Sequence, residues 1–169
     1  MEKVVIRKPK KGDEKDLMIF YNSLVEEKTM TLAVKKVTLK KEREFVQKCL
    51  KQEKEKTGVH FALEINEIIL GMSGVTIDGV ITHHVGRFGI ILKKEARGKG
   101  LGFKLAKTVI SEAKKKLKVK IVTLNVSHRN KVAIGLYKKL GFKEVGIIKK
   151  ALNFFGRYDD EVIMVKYLV

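Results

Sequence analysis

The sequence predicts an α/β (α+β) protein: a mixed, mostly antiparallel sheet flanked by helices, in the order β-α-α-β-β-β-α-β-α-β-β. Three observations carry that prediction. Apolar residues recur at helical spacing as far as Gly58 and alternate with a period of two after it. One nearly continuous apolar run, "KIVTLNV", stands between two helical stretches, as a buried strand does. There is one proline and no repeat, low-complexity segment or Pro/Ser-rich linker, so the 169 residues read as one domain spanning 1–169. A chain of that length buries about 70% of its unfolded surface.

Each element has its own signal. "KVVIRK" is a short strand that ends at Pro9. "GDEKDLMIFYNSLVEE" opens with acidic residues suited to a helix N-terminus and sets Leu17, Phe20, Tyr21 and Leu24 on one face. After the variable stretch "KTMTLAVKKVT", Thr38 is the expected N-cap of a helix that reaches Gly58 with Leu39, Phe45, Val46, Cys49 and Leu50 inward. "VHFALEI", "IILGMSGVTI" and "RFGIIL" are short, β-rich and separated by "NE" and "DGVITHHVG", which suits antiparallel hairpins. A helix from Leu101 follows, with Leu105, Val109, Ile110 and Ala113 on its apolar side. "NKVAIGLYKKL" is a helix that stops at Gly141, and "KEVGIIKKAL" and "YDDEVIMVKYLV" are the closing strands.

Composition narrows the class. The net charge of +18 suits nucleic acid, an anionic membrane or an acidic substrate, but 31 of the 37 basic residues are lysines spread along the whole chain. That distribution describes a solvated surface, so nucleic acid and membrane are not the expected partners. The N-terminus lacks the apolar core of a signal peptide, and no run reaches the roughly 18 apolar residues of a membrane span, so the protein is expected in the cytoplasm. Cys49 is the single cysteine, which rules out an intrachain disulfide and a cysteine metal cluster and suits a buried thiol.

The chemistry concentrates in "LKKEARGKGLGFKLAKTVISEAKKK", where Gly98, Gly100 and Gly102 precede a helix. A strand, a glycine turn and a helix N-terminus together present unpaired main-chain N–H groups at the positive end of a helix dipole, which is an anion site. Arg97 and Lys99 add charge there. A P-loop needs Ser or Thr after Gly-Lys, where Gly100 stands, and a dinucleotide fingerprint needs a third glycine at Phe103. Both nucleotide motifs fail. The glycines also suit a plain tight turn.

Two longer patterns decide more. "EARGKGLG" fits R/Q-x-x-G-x-G/A through Arg97, Gly98, Lys99, Gly100, Leu101 and Gly102. About 25 residues later "NKVAIGLYKKLGF" fits N-x-x-A-x-x-x-Y-x-x-x-G-F through Asn130, Ala133, Tyr137, Gly141 and Phe142. The closing strand carries Tyr158, Asp160 and Met164 in a Tyr-x-Asp-x-x-x-Met pattern. From Phe88 onward the chain resembles the Gcn5-related N-acetyltransferase (GNAT) superfamily, and the order of elements before it agrees with that fold. The resemblance implies acetyl-CoA as cosubstrate and an amine acceptor, either a small molecule or a protein N-terminus or lysine; a homodimer is left open, and no metal is expected because His83 and His84 have no third ligand spaced near them. It implies that main-chain groups of Ile90, Ile91 and Leu92 pair with the pantetheine arm, and that Arg97, Gly98, Lys99, Gly100, Leu101, Gly102 and Phe103 wrap the pyrophosphate. Asn130 is placed for the cofactor arm and also suits a plain helix N-cap. Tyr137 stands where the superfamily often puts a phenol near the coenzyme sulfur.

Acyl transfer needs an amine lone pair, a stabilised oxyanion and a protonated leaving thiolate. Tyr137 is the candidate general acid, and a main-chain N–H of Ile91 or Leu92 is the candidate oxyanion donor. Some relatives carry a glutamate on the buried strand; here Asn125 stands there, an orienting residue rather than a base. Glu64, His83, His84, Asp159, Asp160 and Glu161 are the other candidates for the base, and the irregular stretches 26–37, "DGVITHH" and "ALNFFGRYDD" are the expected acceptor walls. Because Asn125 cannot take a proton, a non-catalytic acyl-CoA-binding module is the alternative reading.

Overall fold

The computed structural model describes residues 2–28 and 33–168. Its elements run β1 (Val4–Arg7), α1 (Glu14–Glu26), α2 (Leu39–Lys54), β2 (Gly58–Ile65), β3 (Ile68–Thr76), β4 (Val85–Leu92), α3 (Leu101–Lys116), β5 (Ile121–Ser127), α4 (Lys131–Lys139), β6 (Lys143–Phe154) and β7 (Arg157–Tyr167). The expected order is the observed one. A 3-10 turn at Lys94–Ala96, between β4 and α3, has no strong sequence signal.

The seven strands form one sheet in the order β1-β2-β3-β4-β5-β7-β6. Every neighbouring pair is antiparallel except β4 and β5. Asn66 and Glu67, both at left-handed φ (50° and 68°), make the two-residue turn between β2 and β3. The sheet separates two apolar clusters. One holds α3 and α4 against β2, β4, β5 and β7, with Leu105, Val109, Val122, Leu124 and Met164 fully enclosed. The other holds α1 and α2 against Ala62, Ile69 and Met72. Each large aliphatic side chain buried this way contributes about 1.5–3 kcal/mol.

One polar cluster closes the N-terminal end. Asp13 does not cap α1 with its side chain; its carboxylate takes Arg7 Nη1 and Nη2 at 2.7 and 2.9 Å, while Arg7 Nε reaches Glu64 Oε1 at 2.7 Å. One guanidinium thereby joins β1, the start of α1 and β2. Burial opposes the Asp13 charge, but the Arg7 and Lys10 hydrogen bonds outweigh it and hold the carboxyl below its usual range.

Some expectations need correction. α2 buries Glu42, Val46 and Cys49, while Phe45 lies at the edge of that stripe, exposed, with its ring edge-on to His60 at 6.3 Å. Thr38 does cap α2, accepting from the Lys41 N–H at 3.4 Å. "ALNFFGRYDD" is not irregular: β6 continues to Phe154, Phe155 and Gly156 turn the chain, and β7 starts at Arg157. Of the stretch 26–37, residues 29–32 lie outside the described residues. No helix among the described residues is long and apolar enough to cross a membrane.

Candidate active site

The sheet opens where the one parallel pair among the described residues comes apart. β4 and β5 are in register through Val85↔Ile121, Gly86↔Val122 and Arg87↔Thr123, and no further. β4 then runs on through Leu92 and β5 through Ser127 without pairing, which leaves a gap between two strand edges.

The ladder to β3 determines which groups line that gap. Lys93 N–H bonds Leu70 O at 2.8 Å, so main-chain groups of Lys93 face β3, and strand alternation turns those of Ile91 the same way. The groups of Ile90 and Leu92 therefore face the gap. His84 O, which accepts from Lys120 and Ile121 on the β5 side, obeys the same alternation. Ile91 N–H is thus directed at β3, and of the two oxyanion donors expected, Leu92 N–H is the one on the open edge.

At the far end of β4 the chain makes the 3-10 turn and enters the glycine loop. Gly98 and Gly100 sit at φ +73° and +75°, where only glycine is unstrained, and a methyl added at either would meet nothing within 4 Å. Gly102 has a different job: a methyl there would stand 2.9 Å from Leu92 Cδ1, so this glycine lets α3 close on β4. The first helical bond of α3 is Lys104 N–H to Gly100 O at 3.2 Å, and no side chain caps the helix. The N–H groups of Leu101, Gly102 and Phe103 are therefore without helical partners, and no acidic residue occupies that first turn. Arg97 does not point its fork outward. Its Nε and Nη2 donate to Leu92 O at 2.9 and 2.7 Å, and Nη2 also donates to Glu27 Oε2 at 2.8 Å. Lys99 Nζ lies 3.4 Å from Glu2 Oε1.

Tyr137 stands at the apex of the gap. Its ring meets Phe88, the first β4 residue past the paired segment, edge-on at 6.1 Å, and Phe142 at 6.0 Å. The residue is 7% exposed, and burial pushes its phenol up to about 12. Among the described residues its hydroxyl has no hydrogen-bond partner, yet no buried polar side-chain atom is left unsatisfied, so the hydroxyl reaches solvent. Asn130 is the N-cap of α4, its Oδ1 accepting from Ala133 N–H at 3.1 Å, which leaves its amide NH2 for another partner. Asn125 is exposed on the opposite face of β5 from Leu124 and Val126, which point into the α3/α4 cluster. Tyr137 and Asn125 thus approach the gap from opposite sides of the sheet.

The structure removes most candidates for the base. Glu64 is ion-paired with Arg7. His83 and His84 lie in the turn before β4 rather than in a strand, their rings 5.5 Å apart, at the closed end of the β4–β5 pair. Six residues of strand separate His84 from Ile90, roughly 20 Å. The "DGVITHH" stretch is for the same reason no wall of the gap. Asp159 is buried; burial opposes its charge, but hydrogen bonds from Ser127 Oγ and from the Arg129 and Asp160 N–H groups prevail and keep the carboxyl low. Asp160 is held low by Lys149 Nζ at 2.8 Å and Lys150 N–H at 2.9 Å. Glu161 has no such partner among the described residues, and its register opposite Ser127 places it two residues from Ile163, the partner of Asn125. The Ser127–Asp159–Arg129 network had no motif to reveal it. No group of three His, Cys, Asp or Glu residues among the described ones is arranged to hold a metal.

Comparison with known proteins adds a family and a fold. The model of the Acetyltransferase (GNAT) family matches residues 19–142. Spermidine N(1)-acetyltransferase of Escherichia coli (strain K12) is 30% identical over 123 residues, 73% of this chain and 57% of that protein; the chain spans little more than half the length of the curated relatives it matches. The solved acetyltransferase of the GNAT family from Streptococcus pneumoniae superposes with a TM-score of 0.89 at 24% identity, covering 98% of this chain and all of that one. The yncA structure from Salmonella typhimurium, solved with its cofactor acetyl-CoA, gives 0.86 at 20% identity, covering 99% of this chain and 95% of that one.

Proposed function

The chain belongs to the GNAT acetyltransferase family, and on that premise we propose that residues 1–169 act as one N-acetyltransferase domain, moving the acetyl group of acetyl-CoA to a primary amine by direct attack. The observation that carries this reading is the parting of β4 from β5 after Arg87 and Thr123, with the glycine loop and the bare N-terminus of α3 at its mouth. An extended pantetheine arm can pair with the Ile90 carbonyl and the Leu92 N–H as an added strand, Leu92 O being already held by Arg97. The diphosphate fits against the N–H groups of Gly98 to Phe103, in the space that the missing Cβ atoms of Gly98 and Gly100 leave. Arg97 and Lys99 add positive charge, and the free amide of Asn130 serves the arm from the β5 side.

The acceptor amine approaches from the Asn125 face, loses its proton to water, and attacks the thioester carbonyl; the C–N bond forms as the C–S bond breaks. Of the gap-facing N–H groups, that of Ile90, nearer the Tyr137 apex than Leu92, is the donor suited to the developing oxyanion. Tyr137 donates to the departing sulfur. A phenol at about 12 stays protonated over the working range, but full transfer to a thiolate near 8.5 is uphill by about 5 kcal/mol. Its contribution is therefore a hydrogen bond that strengthens as charge builds on sulfur, completed by the proton the amine releases. Glu161 and Asn125 are polar groups on the acceptor face, and the β6–β7 hairpin runs on past Ser127, where β5 ends. Spermidine and peptide N-termini head the panel of amines because both are cationic and carry a free amine.

The test is thiol release from acetyl-CoA with that panel, preceded by a thermal titration. Acetyl-CoA at 100 times its Kd should stabilise the fold by about 2.7 kcal/mol. Stabilisation without thiol release for any amine would leave a binding module, and no stabilisation would refute the reading.

A further inference from the structure

We infer that Glu27 is a positioning residue for the cofactor cleft: it fixes the Arg97 guanidinium, which holds the Leu92 carbonyl and so sets the end of the open edge of β4. The inference rests on the acetyl-CoA reading for its functional consequence, while its geometry stands alone. Glu27 is the C-cap of α1, a helix with no basic residue in its last turn. A carboxylate there meets the negative end of the helix dipole, so local preference speaks against it. Such a conflict marks a tertiary demand on the residue.

The neighbouring Glu26 resolves the same conflict at the surface, paired to Lys36 with both side chains more than 60% exposed. Glu27 is the more shielded, its side chain 26% exposed, and it turns to a residue 70 positions away. There it completes a set of three hydrogen bonds: Arg97 Nε and Nη2 on Leu92 O, and Nη2 on Glu27 Oε2. Leu92 O belongs to the edge that faces the gap, and it lies past the last pairing of β4 with β5. With its fork turned inward, Arg97 keeps only Nη1 unbonded among the described residues, able to donate to an anion at the loop.

Glu27→Gln, Arg97→Gln and the double variant test this in two ways. The Arg97 Nε–H signal in nitrogen-edited NMR, assigned by its loss in Arg97→Gln, should exchange with water several-fold faster in Glu27→Gln. By calorimetry, Glu27→Gln should weaken acetyl-CoA about three- to tenfold, the loss of one charge-assisted hydrogen bond, with turnover at saturation and Tm nearly unchanged. The double variant should bind no more weakly than Arg97→Gln alone. Unchanged Nε–H exchange in Glu27→Gln would overturn the inference, as would a full additive loss in the double variant. Failure of the wild type to bind acetyl-CoA would refute the cofactor reading instead, and the NMR result would still decide whether Glu27 orients Arg97.

Discussion

Tyr137 has an observed packing role and a proposed chemical one. Its ring completes an aromatic set with Phe88 and Phe142, and its hydroxyl, without a partner among the described residues, reaches solvent. Tyr137→Phe keeps the ring, so acetyl-CoA affinity should stay within twofold while kcat falls about 10- to 100-fold. Equal kcat in the mutant would leave the residue a packing role only. Because burial pushes the phenol to about 12, kcat in the wild type should show no descending limb from pH 8 to 10. Cys49 is the opposite case. Its thiol is enclosed and also pushed up to about 12, chiefly by burial, so a thiol reagent at pH 8 should leave the native protein unlabelled and modify one equivalent after unfolding. Labelling of the native fold would contradict the placement of α2.

The strand–loop–helix unit around residue 100 separates two uses of glycine. Gly100→Ala places a side chain at left-handed φ, costing about 1 kcal/mol of stability, and puts a methyl where the ligand would approach. It should therefore weaken acetyl-CoA by more than its small Tm change suggests, whereas Gly102→Ala, pressed against Leu92, should act mainly on stability. Equal effects of the two on binding would erase that distinction. The Arg7 cluster makes a pH prediction for β1 and α1. The folded pKa of Asp13 is depressed, so its contribution is fully present above the ordinary carboxylate value of about 3.9 and is lost as pH falls through the lower folded value. Thermal melts below about pH 4 should show a loss of Tm that Asp13→Asn lacks. Equal slopes would place the acid sensitivity elsewhere.

For the molecule as a whole, the order of its elements was legible because period, caps and turns agree along most of the chain: Thr38 caps α2, Asn66–Glu67 turns β2 into β3, and "KIVTLNV" becomes central β5. The glycine turn before α3 and the place of Tyr137 on α4 were legible because each depends on short spacing. What escaped were relations across the fold. Nothing in "EREFVQKCL" says that Glu42 turns inward and Phe45 outward, since both lie near the boundary of one stripe. The His83–His84 pair looked close to the chemistry in sequence, yet β4 carries the gap to its other end. Arg97 read as a phosphate ligand, and only the fold reveals that Glu27 and Leu92 O hold it. The long β6–β7 hairpin was hidden because its tip residues, Asn153 to Tyr158, resemble loop chemistry.

A crystal structure with acetyl-CoA tests the gap most directly. The diphosphate oxygens should lie about 2.7–3.2 Å from N–H groups between Gly98 and Phe103, with the pantetheine amides paired to the Ile90 or Leu92 main chain and the sulfur beside the Tyr137 hydroxyl. A cofactor bound elsewhere, for example in the lysine-lined hollow of about 410 Å³ by Glu53 and Lys116, with β4 and β5 left empty between them, would contradict it.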